Sequence, residues 1–139
     1  MFINNTFGKT VDIMQRTMDV SLTRREVIAN NIANVETPNF KRTDVNFEAS
    51  LARALNSENA PDNLEAKMSS TNHIPFNRSV DYRSVQPRFV LDYLTQTKNN
   101  GNNVDIEQET MAATRNQMMY ELMTSSISSQ FSRINMVLR

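Results

Sequence analysis

The sequence contains no cysteine, which excludes disulfide bonds, thiolate nucleophiles and metal sites built on cysteine. Histidine occurs once, at His73 beside Ile74 and Pro75, where a structural turn residue is far more common than a catalytic base. Two glycines are too few for a glycine-rich phosphate-binding loop. These shortages lead us to expect no catalytic residues, no cofactor-binding residues and no metal ligands, and therefore no enzyme.

Neither sign of charge is in excess, because 15 lysine and arginine residues balance 15 aspartate and glutamate residues. Without a basic face or tail, we expect neither nucleic acid nor an anionic membrane surface as a partner. No stretch approaches the roughly 20 apolar residues of a membrane-spanning helix, so no direct membrane span is expected. Residues 1–5 have neither the basic nor the apolar region of a secretory signal peptide, and we expect none.

A first long helix is predicted over residues 6–34, because apolar residues recur there at spacings of three and four. These residues are Phe7, Val11, Met14, Met18, Ile28, Ile32 and Val35. Ser21 and Arg25 interrupt the line with polar side chains. Such a helix would be roughly 40 Å long, too long for a domain this poor in apolar residues to wrap.

A second long helix is predicted over residues 105–138, with Asp105 as its N-cap and Gln108 three residues later as in a capping box. A seven-residue apolar repeat, typical of a coiled coil, contains Ile106, Ala113, Tyr120, Ile127 and Ile134. The later turns add Met123, Phe131 and Leu138 beside it. The first half of this seam is weak, because Glu109 and Asn116 fall next to it.

Methionines cluster on the second helix, at Met111, Met118, Met119 and Met123. One interpretation is flexible packing inside the seam. The other is an adaptable surface that repacks against non-identical neighbours, as a subunit at an assembly junction would require. The sequence leaves both open.

The segment between the two helices gives weak signals, with a short helix possible over residues 46–57 and short strands or extended pieces over 73–93. We expect a mainly α fold in which long N- and C-terminal helices pair as a coiled coil around an extended, weakly structured middle. The predicted segments are 1–35 and 105–139 for the helices of an assembly core, and 36–104 for the turn, loop and extended middle.

The most specific motif is the run from Ala29 to Arg42, where a helical pattern stops in a group of asparagines before Thr-Pro-Asn-Phe. Pro38 disfavours helical backbone at Thr37 and therefore ends the helix. Asn39 then occupies the turn position that needs a positive φ, which glycine favours and asparagine tolerates. The sequence therefore predicts a defined helix stop and turn.

This run resembles the N-terminal signature of the flagellar basal-body rod and hook proteins, A-x-N-I-A-N-x-x-T-P-G-[YF]-K. The matching residues are Ala29, Asn31, Ile32, Ala33, Asn34, Thr37, Pro38, Phe40 and Lys41. Asn39 departs from the family's usual glycine, and asparagine is the next best residue for that backbone state.

Two further segments are similar to the small proximal-rod members of this family. Residues 71–75, Thr-Asn-His-Ile-Pro, resemble a His-Ile-Pro segment of the proximal rod subunit. Residues 101–107 resemble the G-N-x-V-D-x-[ED] segment that opens the C-terminal helix of rod proteins. The resemblance covers nearly the whole chain and is least over residues 56–68.

The resemblance implies a structural subunit of the proximal rod of the flagellar basal body, which polymerises through its terminal helices into a tube. That tube would transmit motor torque and conduct exported subunits. Export through the flagellar type III apparatus without a cleaved signal peptide, and a periplasmic place in the rod, are also implied. The implied partners are other copies of the chain, other rod proteins, the rod adaptor FliE and the export gate.

We expect both predicted helices and the turn between them to contribute to assembly. The expected assembly interface contains Val11, Met14, Met18, Ile28, Asn31, Ile32, Asn34, Tyr120, Met123, Ile127, Phe131, Ile134 and Leu138. The expected turn contains Thr37, Pro38, Asn39 and Phe40. The asparagines would make hydrogen bonds between subunits.

An alternative function is a cytoplasmic helical adaptor or chaperone that binds its partner with the methionine-rich helix. It explains both helices but leaves the Thr-Pro-Asn-Phe and His-Ile-Pro motifs unexplained. Two long helices with few apolar residues and a poorly packed middle would bury too little surface alone, which favours a subunit of an assembly.

Overall fold

Two long helices occupy the two ends of the chain, which confirms the predicted mainly α fold. The computed structural model describes residues 6–58, 69–70, 72 and 79–138. Its elements are α1 (Thr6–Ala33), β1 (Thr43–Asn46), α2 (Glu48–Glu58), a 3-10 helix (Tyr82–Ser84), β2 (Arg88–Leu91) and α3 (Ile106–Val137). The His73-Ile74-Pro75 segment lies outside the described residues.

Helix α1 ends at Ala33, just before the last asparagine of the group and within one residue of the predicted end. The amide of Asn34 reaches the carbonyls of Asn30 and Asn31, both at 3.2 Å, and the amide of Thr37 reaches Asn34 O at 3.1 Å. These bonds turn the chain out of the helix before Pro38, which cannot continue it. The chain therefore leaves α1 through a tight turn.

Helix α3 begins at the predicted N-cap. Asp105 has extended backbone, φ −101° and ψ 115°, and its carboxylate accepts a hydrogen bond from the amide of Glu107 at 2.9 Å. Glu107 and Glu109 lie in the first turn, where negative charge complements the helix dipole. The helix therefore starts on a cap that the sequence predicted.

Helices α1 and α3 pack against each other and run in opposite directions. Asn31, near the end of α1, donates to Glu109, near the start of α3, at 3.1 Å. Phe7, near the start of α1, meets Phe131 edge to face, with ring centroids 6.1 Å apart and an interplanar angle of 87°. The two terminal helices therefore form an antiparallel pair.

The contact between these helices is narrow and unusually polar. The buried residues of the two helices are Val20, Ser21, Ile28 and Asn31 on α1, and Glu109 and Asn116 on α3. Four of these six are polar, so the pair gains less from apolar burial than a coiled coil with an aliphatic seam.

The chain divides into two compact units, one formed by residues 1–45 and 89–139 and the other by residues 46–88. The first contains the helix pair. In the second, Ser57 accepts from the amide of Val80 at 3.0 Å, and Asp81 caps the 3-10 helix by accepting from the amide of Arg83 at 2.9 Å. Its buried side chains are Phe47, Leu51, Ala54 and Tyr82.

A two-stranded sheet formed by β1 and β2 completes the fold. The sequence allowed short strands around β2 but gave no prediction of β1, which has four residues and buries only Val45. Within the described ranges, no helix has both the length and the apolar character needed to cross a bilayer.

Candidate functional site at the helix junction

The segment that leaves α1 and the segment that enters α3 meet in one hydrogen-bonded region, here called the helix junction (residues 31–43 and 92–109). Its most conspicuous backbone feature is Asn39, with a φ of 59°. The amide of Phe40 closes the turn on Thr37 O at 3.4 Å. The predicted positive φ at Asn39 is therefore confirmed.

The junction holds the turn against the loop that precedes α3. The amide of Asn39 donates to Asn100 O at 3.0 Å, and Gly101 on the facing loop has a φ of 80°. A Cβ at Gly101 would lie 2.6 Å from Asn39 Oδ1, closer than real side chains approach. Glycine is therefore favoured at position 101 by its positive φ, and any larger residue would have to displace the Asn39 side chain.

Asn102 binds three carbonyl groups of the turn that follows α1. Its side chain has no exposed surface, and its Nδ2 donates to the carbonyls of Asn34 at 2.9 Å, Val35 at 3.1 Å and Thr37 at 2.8 Å. Its Oδ1 accepts from the amide of Val104 at 2.7 Å. A single asparagine from the second segment thus acts as a C-terminal cap for the first helix.

Asn103 connects the loop before α3 to the residues that flank the two strands. Its Oδ1 accepts from the amide of Arg42 at 2.7 Å, and its Nδ2 donates to Asp92 O at 2.7 Å and Thr95 Oγ1 at 3.1 Å. The ammonium group of Lys41 adds a bond to Gly101 O at 2.8 Å. The two segments are therefore joined through backbone groups that any change of register would leave unpaired.

A buried carboxylate links the junction to the helix pair. Glu109 has no exposed surface and accepts hydrogen bonds from Arg42 Nε and, at 3.1 Å, from Asn31 Nδ2. Asn31 is also fully buried and pairs with both backbone groups of Thr43, at 2.8 and 3.1 Å. The charge of Glu109 is therefore compensated inside the chain, as a buried carboxylate requires.

The electrostatics of Arg42 reflect this pairing. Burial opposes its charge, but the hydrogen bond and the negative charge of Glu109 outweigh burial and raise the pKa of the guanidinium above its ordinary value. Asp44 and Asp92 act in the same direction. Arg42 is therefore held in its charged form, and the pair is a permanent structural link.

A second polar contact lies midway along the helix pair. Asn116 Nδ2 donates to Ser21 O at 2.8 Å, and the Ser21 hydroxyl donates to Thr17 O at 2.9 Å. Ser21 interrupted the predicted apolar line, and the structure shows that the interruption is the place where α3 approaches the backbone of α1. A small side chain there makes the close approach possible.

The residues expected at the assembly interface include buried, half-buried and exposed side chains. Ile28 and Asn31 are buried, and Phe131 and Leu138 are exposed. The others are half-buried: Val11, Met14, Met18, Ile32, Asn34, Tyr120, Met123, Ile127 and Ile134. The turn exposes Thr37, Pro38 and Asn39 and half-buries Phe40. Asn31 makes its hydrogen bonds within the chain.

Sequence reasoning missed the polar residues that join the segments, namely Ser21, Arg42, Asn102, Asn103, Glu109 and Asn116. A usable signal existed for two of them. The line of alternating four- and three-residue steps on α3 contains Glu109, Ala113, Asn116, Tyr120, Met123, Ile127, Gln130 and Ile134. If polar residues are allowed in this line, the line predicts that Glu109 and Asn116 face α1.

The junction offers hydrogen bonds and charge pairing, and its chemistry is structural. In the part of the chain that the structure describes, no group of three histidine, aspartate or glutamate side chains is arranged to hold a metal ion. Asparagine amides and one compensated carboxylate fix the geometry between elements. The arrangement can fix α1 and α3 relative to the segments that leave α1 and enter α3.

The turn gives a first testable prediction. We expect Asn39→Gly to remain within about 0.5 kcal/mol of wild type, and Asn39→Val to cost about 1–3 kcal/mol, because a β-branched residue is strained at positive φ. Urea unfolding followed by circular dichroism would measure both. Asn99→Val, at an exposed loop asparagine with ordinary φ, is the matched control. Equal stability of the Asn39→Val and Asn99→Val chains would contradict the argument.

The sequence is similar to those of known proteins. The model of the family described as "Flagella basal body rod protein" matches residues 15–41, which cover most of α1 and the turn after it. The flagellar basal body rod protein FlgB of Borreliella burgdorferi is 44% identical over 135 residues, which cover 97% of this chain and 99% of that protein.

Other relatives extend the similarity across bacteria. FlgB of Borrelia hermsii is 43% identical over 135 residues, with 97% of this chain and 99% of that protein covered. FlgB of Bacillus subtilis is 29% identical over 132 residues, which cover 95% of each chain. The similarity therefore includes both long helices and the segment between them.

Proposed function

The chain belongs to the family of the flagellar basal body rod protein FlgB, and from this premise we propose that it forms the proximal rod by polymerising through its paired terminal helices. Its role in the basal body rod is structural, and the names of its relatives describe a rod protein and not an enzyme. The relatives named above are all rod proteins, which favours the rod function over an adaptor or chaperone.

The observation that carries this proposal is a set of exposed apolar side chains on α3. Its members are Met111, Met118, Met119 and Leu122, each more than half exposed, and Leu122 is 66% exposed. Contiguous exposed apolar side chains mark sites of protein–protein contact. Methionine suits such a surface because its flexible side chain adapts to neighbours of different shape.

The narrow contact between α1 and α3 supports the same proposal. Two long helices whose buried residues are mostly polar gain little apolar burial from each other. They gain more when neighbouring copies cover their remaining apolar surface. We therefore propose that both helices of each pair contact adjacent subunits, and that the assembly interface includes the eleven predicted residues that keep accessible surface, since Ile28 and Asn31 are buried within the chain.

The junction suits a part that transmits torque. The buried bonds of Asn102 and Glu109 cross between segments that are more than sixty residues apart in sequence. Such crosslinks resist rotation of the helix pair relative to the chain that leaves it. In this proposal the assembled tube transmits torque from the motor and conducts later subunits through its bore.

The proposal also covers the route and the neighbours. The chain would be exported through the flagellar type III apparatus without a cleaved signal peptide and would assemble in the periplasm. Its neighbours would be other copies of itself, other rod proteins, the rod adaptor FliE and the export gate. The family membership and the apolar surface of α3 support this arrangement.

Substitution on the exposed surface of α3 tests the proposal. We expect Leu122→Asp to lower the amount of chain in purified basal bodies by roughly tenfold or more, because burying an uncompensated charge in an interface costs more than the ~1.4 kcal/mol that corresponds to a factor of ten. Mass spectrometry of basal bodies would measure this. The fold should be unaffected, because Leu122 is exposed.

Thr124→Asp is the matched control, because Thr124 is also exposed on α3 and points about 200° away around the helix. We expect it to enter basal bodies at a level close to wild type. Wild-type incorporation of the Leu122→Asp chain would show that this surface is no interface. Absence of the wild-type chain from basal bodies would overturn the rod function itself.

A further inference from the structure

The sequence contains one asparagine that is followed directly by glycine, Asn100 before Gly101. Both residues lie in the loop that precedes α3, and Asn100 is exposed to solvent. Such an asparagine can react with its own backbone, because the amide nitrogen of the next residue can attack the side-chain carbonyl carbon. Glycine has no Cβ to obstruct that attack. The pair Asn100 and Gly101 is here called the Asn-Gly site.

Two backbone amides donate to the two oxygen atoms on which this reaction places negative charge. The amide of Asn102 donates to Asn100 Oδ1 at 3.1 Å, and Oδ1 becomes an oxyanion when Cγ is attacked. The amide of Asn39 donates to the backbone oxygen of Asn100 at 3.0 Å, and that oxygen shares the negative charge when the Gly101 amide loses its proton. Donors already aimed at developing charge lower the barrier of a reaction, as in an oxyanion hole.

One contact at the Asn-Gly site opposes the reaction. The amide of Gly101 donates to Lys98 O at 3.2 Å, and this bond must break before the nitrogen can attack. The bond closes a single turn whose central residues, Asn99 and Asn100, are both exposed. An exposed turn opens locally far more often than the whole chain unfolds, so the attacking nitrogen becomes available in the folded chain.

We propose that Asn100 deamidates spontaneously in the folded chain through a cyclic imide with Gly101, and that the isoaspartate form of the product loosens the helix junction. First, the Gly101 amide gives its proton to hydroxide and its nitrogen bonds to Asn100 Cγ. The bond from Cγ to Nδ2 then breaks, and Nδ2 takes a proton from water and leaves as ammonia. One water molecule finally opens the five-membered imide. The balance is one water consumed and one ammonia released.

The two products differ in their backbone. Water that adds at Cγ gives aspartate and leaves the main chain unchanged. Water that adds at the backbone carbon gives isoaspartate, in which the main chain runs through the former side chain and gains one methylene group. Only Gly101 separates this longer linkage from Asn102, whose Nδ2 donates to the carbonyls of Asn34, Val35 and Thr37. A displaced Asn102 would leave these carbonyls without their donor.

Mass spectrometry of the purified full chain tests the chemistry. The chain is incubated in mildly alkaline buffer, and peptides that contain position 100 are analysed at intervals, with the aspartate and isoaspartate forms separated. We expect both forms at position 100. Asn99 is the internal control, because it is exposed in the same loop but is followed by a residue with a side chain. We expect Asn99 to react at least about tenfold more slowly, a difference of ~1.4 kcal/mol in the barrier.

Asn100→Gln is the matched control variant, because glutamine keeps the amide but would have to close a larger ring. We expect no deamidation at position 100 in this variant over the same period. Aspartate without isoaspartate in the wild-type chain would overturn the cyclic route, because direct hydrolysis of the side-chain amide gives aspartate alone. A slower reaction in the folded chain than in a free peptide of residues 96–105 would also overturn the proposal, because the fold would then protect Asn100.

Asn100→Asp separates the added charge from the lengthened backbone. It keeps an acceptor for the amide of Asn102 and has an ordinary main chain, so its melting temperature should stay within about 2 °C of wild type. We expect the isoaspartate form, isolated by chromatography, to melt lower by about 4 °C or more. Equal melting temperatures of the isoaspartate and Asn100→Asp chains would overturn the effect on the helix junction. Neither measurement requires the assembled rod, so both stand apart from the rod function.

Discussion

Replacing Asn102 by aspartate is expected to lower the free energy of unfolding of the unit that contains the helix pair by about 3–5 kcal/mol at pH 7. The two side chains have nearly the same shape. The amide, however, donates to the carbonyls of Asn34, Val35 and Thr37, whereas an ionised carboxylate presents a buried negative charge to the same three acceptors. The cap of α1 would change from attractive to repulsive.

The pH dependence of this effect identifies its cause. Burial against three carbonyl oxygens raises the pKa of the introduced carboxyl above its value of about 3.9 in the unfolded chain. The loss of unfolding free energy is therefore largest at pH values above the pKa of this carboxyl in the folded chain. It decreases as the pH falls below that pKa and vanishes near the pKa of the unfolded chain. Urea unfolding at pH 7 and pH 4 should show the variant approaching wild type at the lower pH.

Asn99→Asp is the control, because Asn99 is exposed in the same loop. It introduces the same charge into solvent, so its free energy of unfolding should stay within about 0.5 kcal/mol of wild type at both pH values. An Asn102→Asp chain as stable as the Asn99→Asp chain at pH 7 would show that the three carbonyl bonds contribute nothing.

The sequence predicted the two long helices with bounds within one residue at each end. Periodic apolar residues gave their extent, and Asp105 gave the start of α3 because an N-cap acts through its immediate neighbours. The positive φ of Asn39 was predicted for the same reason, since the constraint comes from the proline beside it. Features that depend on residues within one turn of each other could therefore be predicted from the sequence alone.

The polar connections between segments could not be predicted in this way. The acceptor of the Arg42 guanidinium is Glu109, which is 67 residues away, and no local pattern joins them. Glu109 fits its first-turn position by helix-dipole arguments alone, so nothing in the sequence requires a further role. Apolar periodicity also discounts asparagine, and for that reason Asn102 and Asn116 were missed although both are buried.

These polar residues explain why a thin helix pair keeps one register. Aliphatic side chains tolerate sliding along a seam, whereas a buried polar group that loses its partner is costly. The Asn31–Glu109 and Ser21–Asn116 hydrogen bonds, of 3.1 and 2.8 Å, fix α1 against α3 at two points. The apolar surface of α3 is thereby left available for neighbouring subunits.

Removing the guanidinium beside Glu109 is expected to have the other large effect. Arg42→Met keeps the aliphatic part of the side chain but leaves a fully buried carboxylate with Asn31 as its remaining described donor. Breaking one side of a buried ion pair costs about 3–5 kcal/mol, so the free energy of unfolding should fall by that amount. Arg115→Met, at an exposed arginine of α3, should change it by less than about 0.5 kcal/mol.

A double-mutant cycle separates the charge from the packing. Glu109→Gln keeps an acceptor for Asn31 but carries no charge, so it removes the reason for the penalty in Arg42→Met. We expect the Arg42→Met/Glu109→Gln chain to be more stable than Arg42→Met alone, by about 1–3 kcal/mol in urea unfolding. If the two substitutions instead lower stability additively, the ion pair makes no contribution of its own, and the buried charge of Glu109 is compensated by other groups.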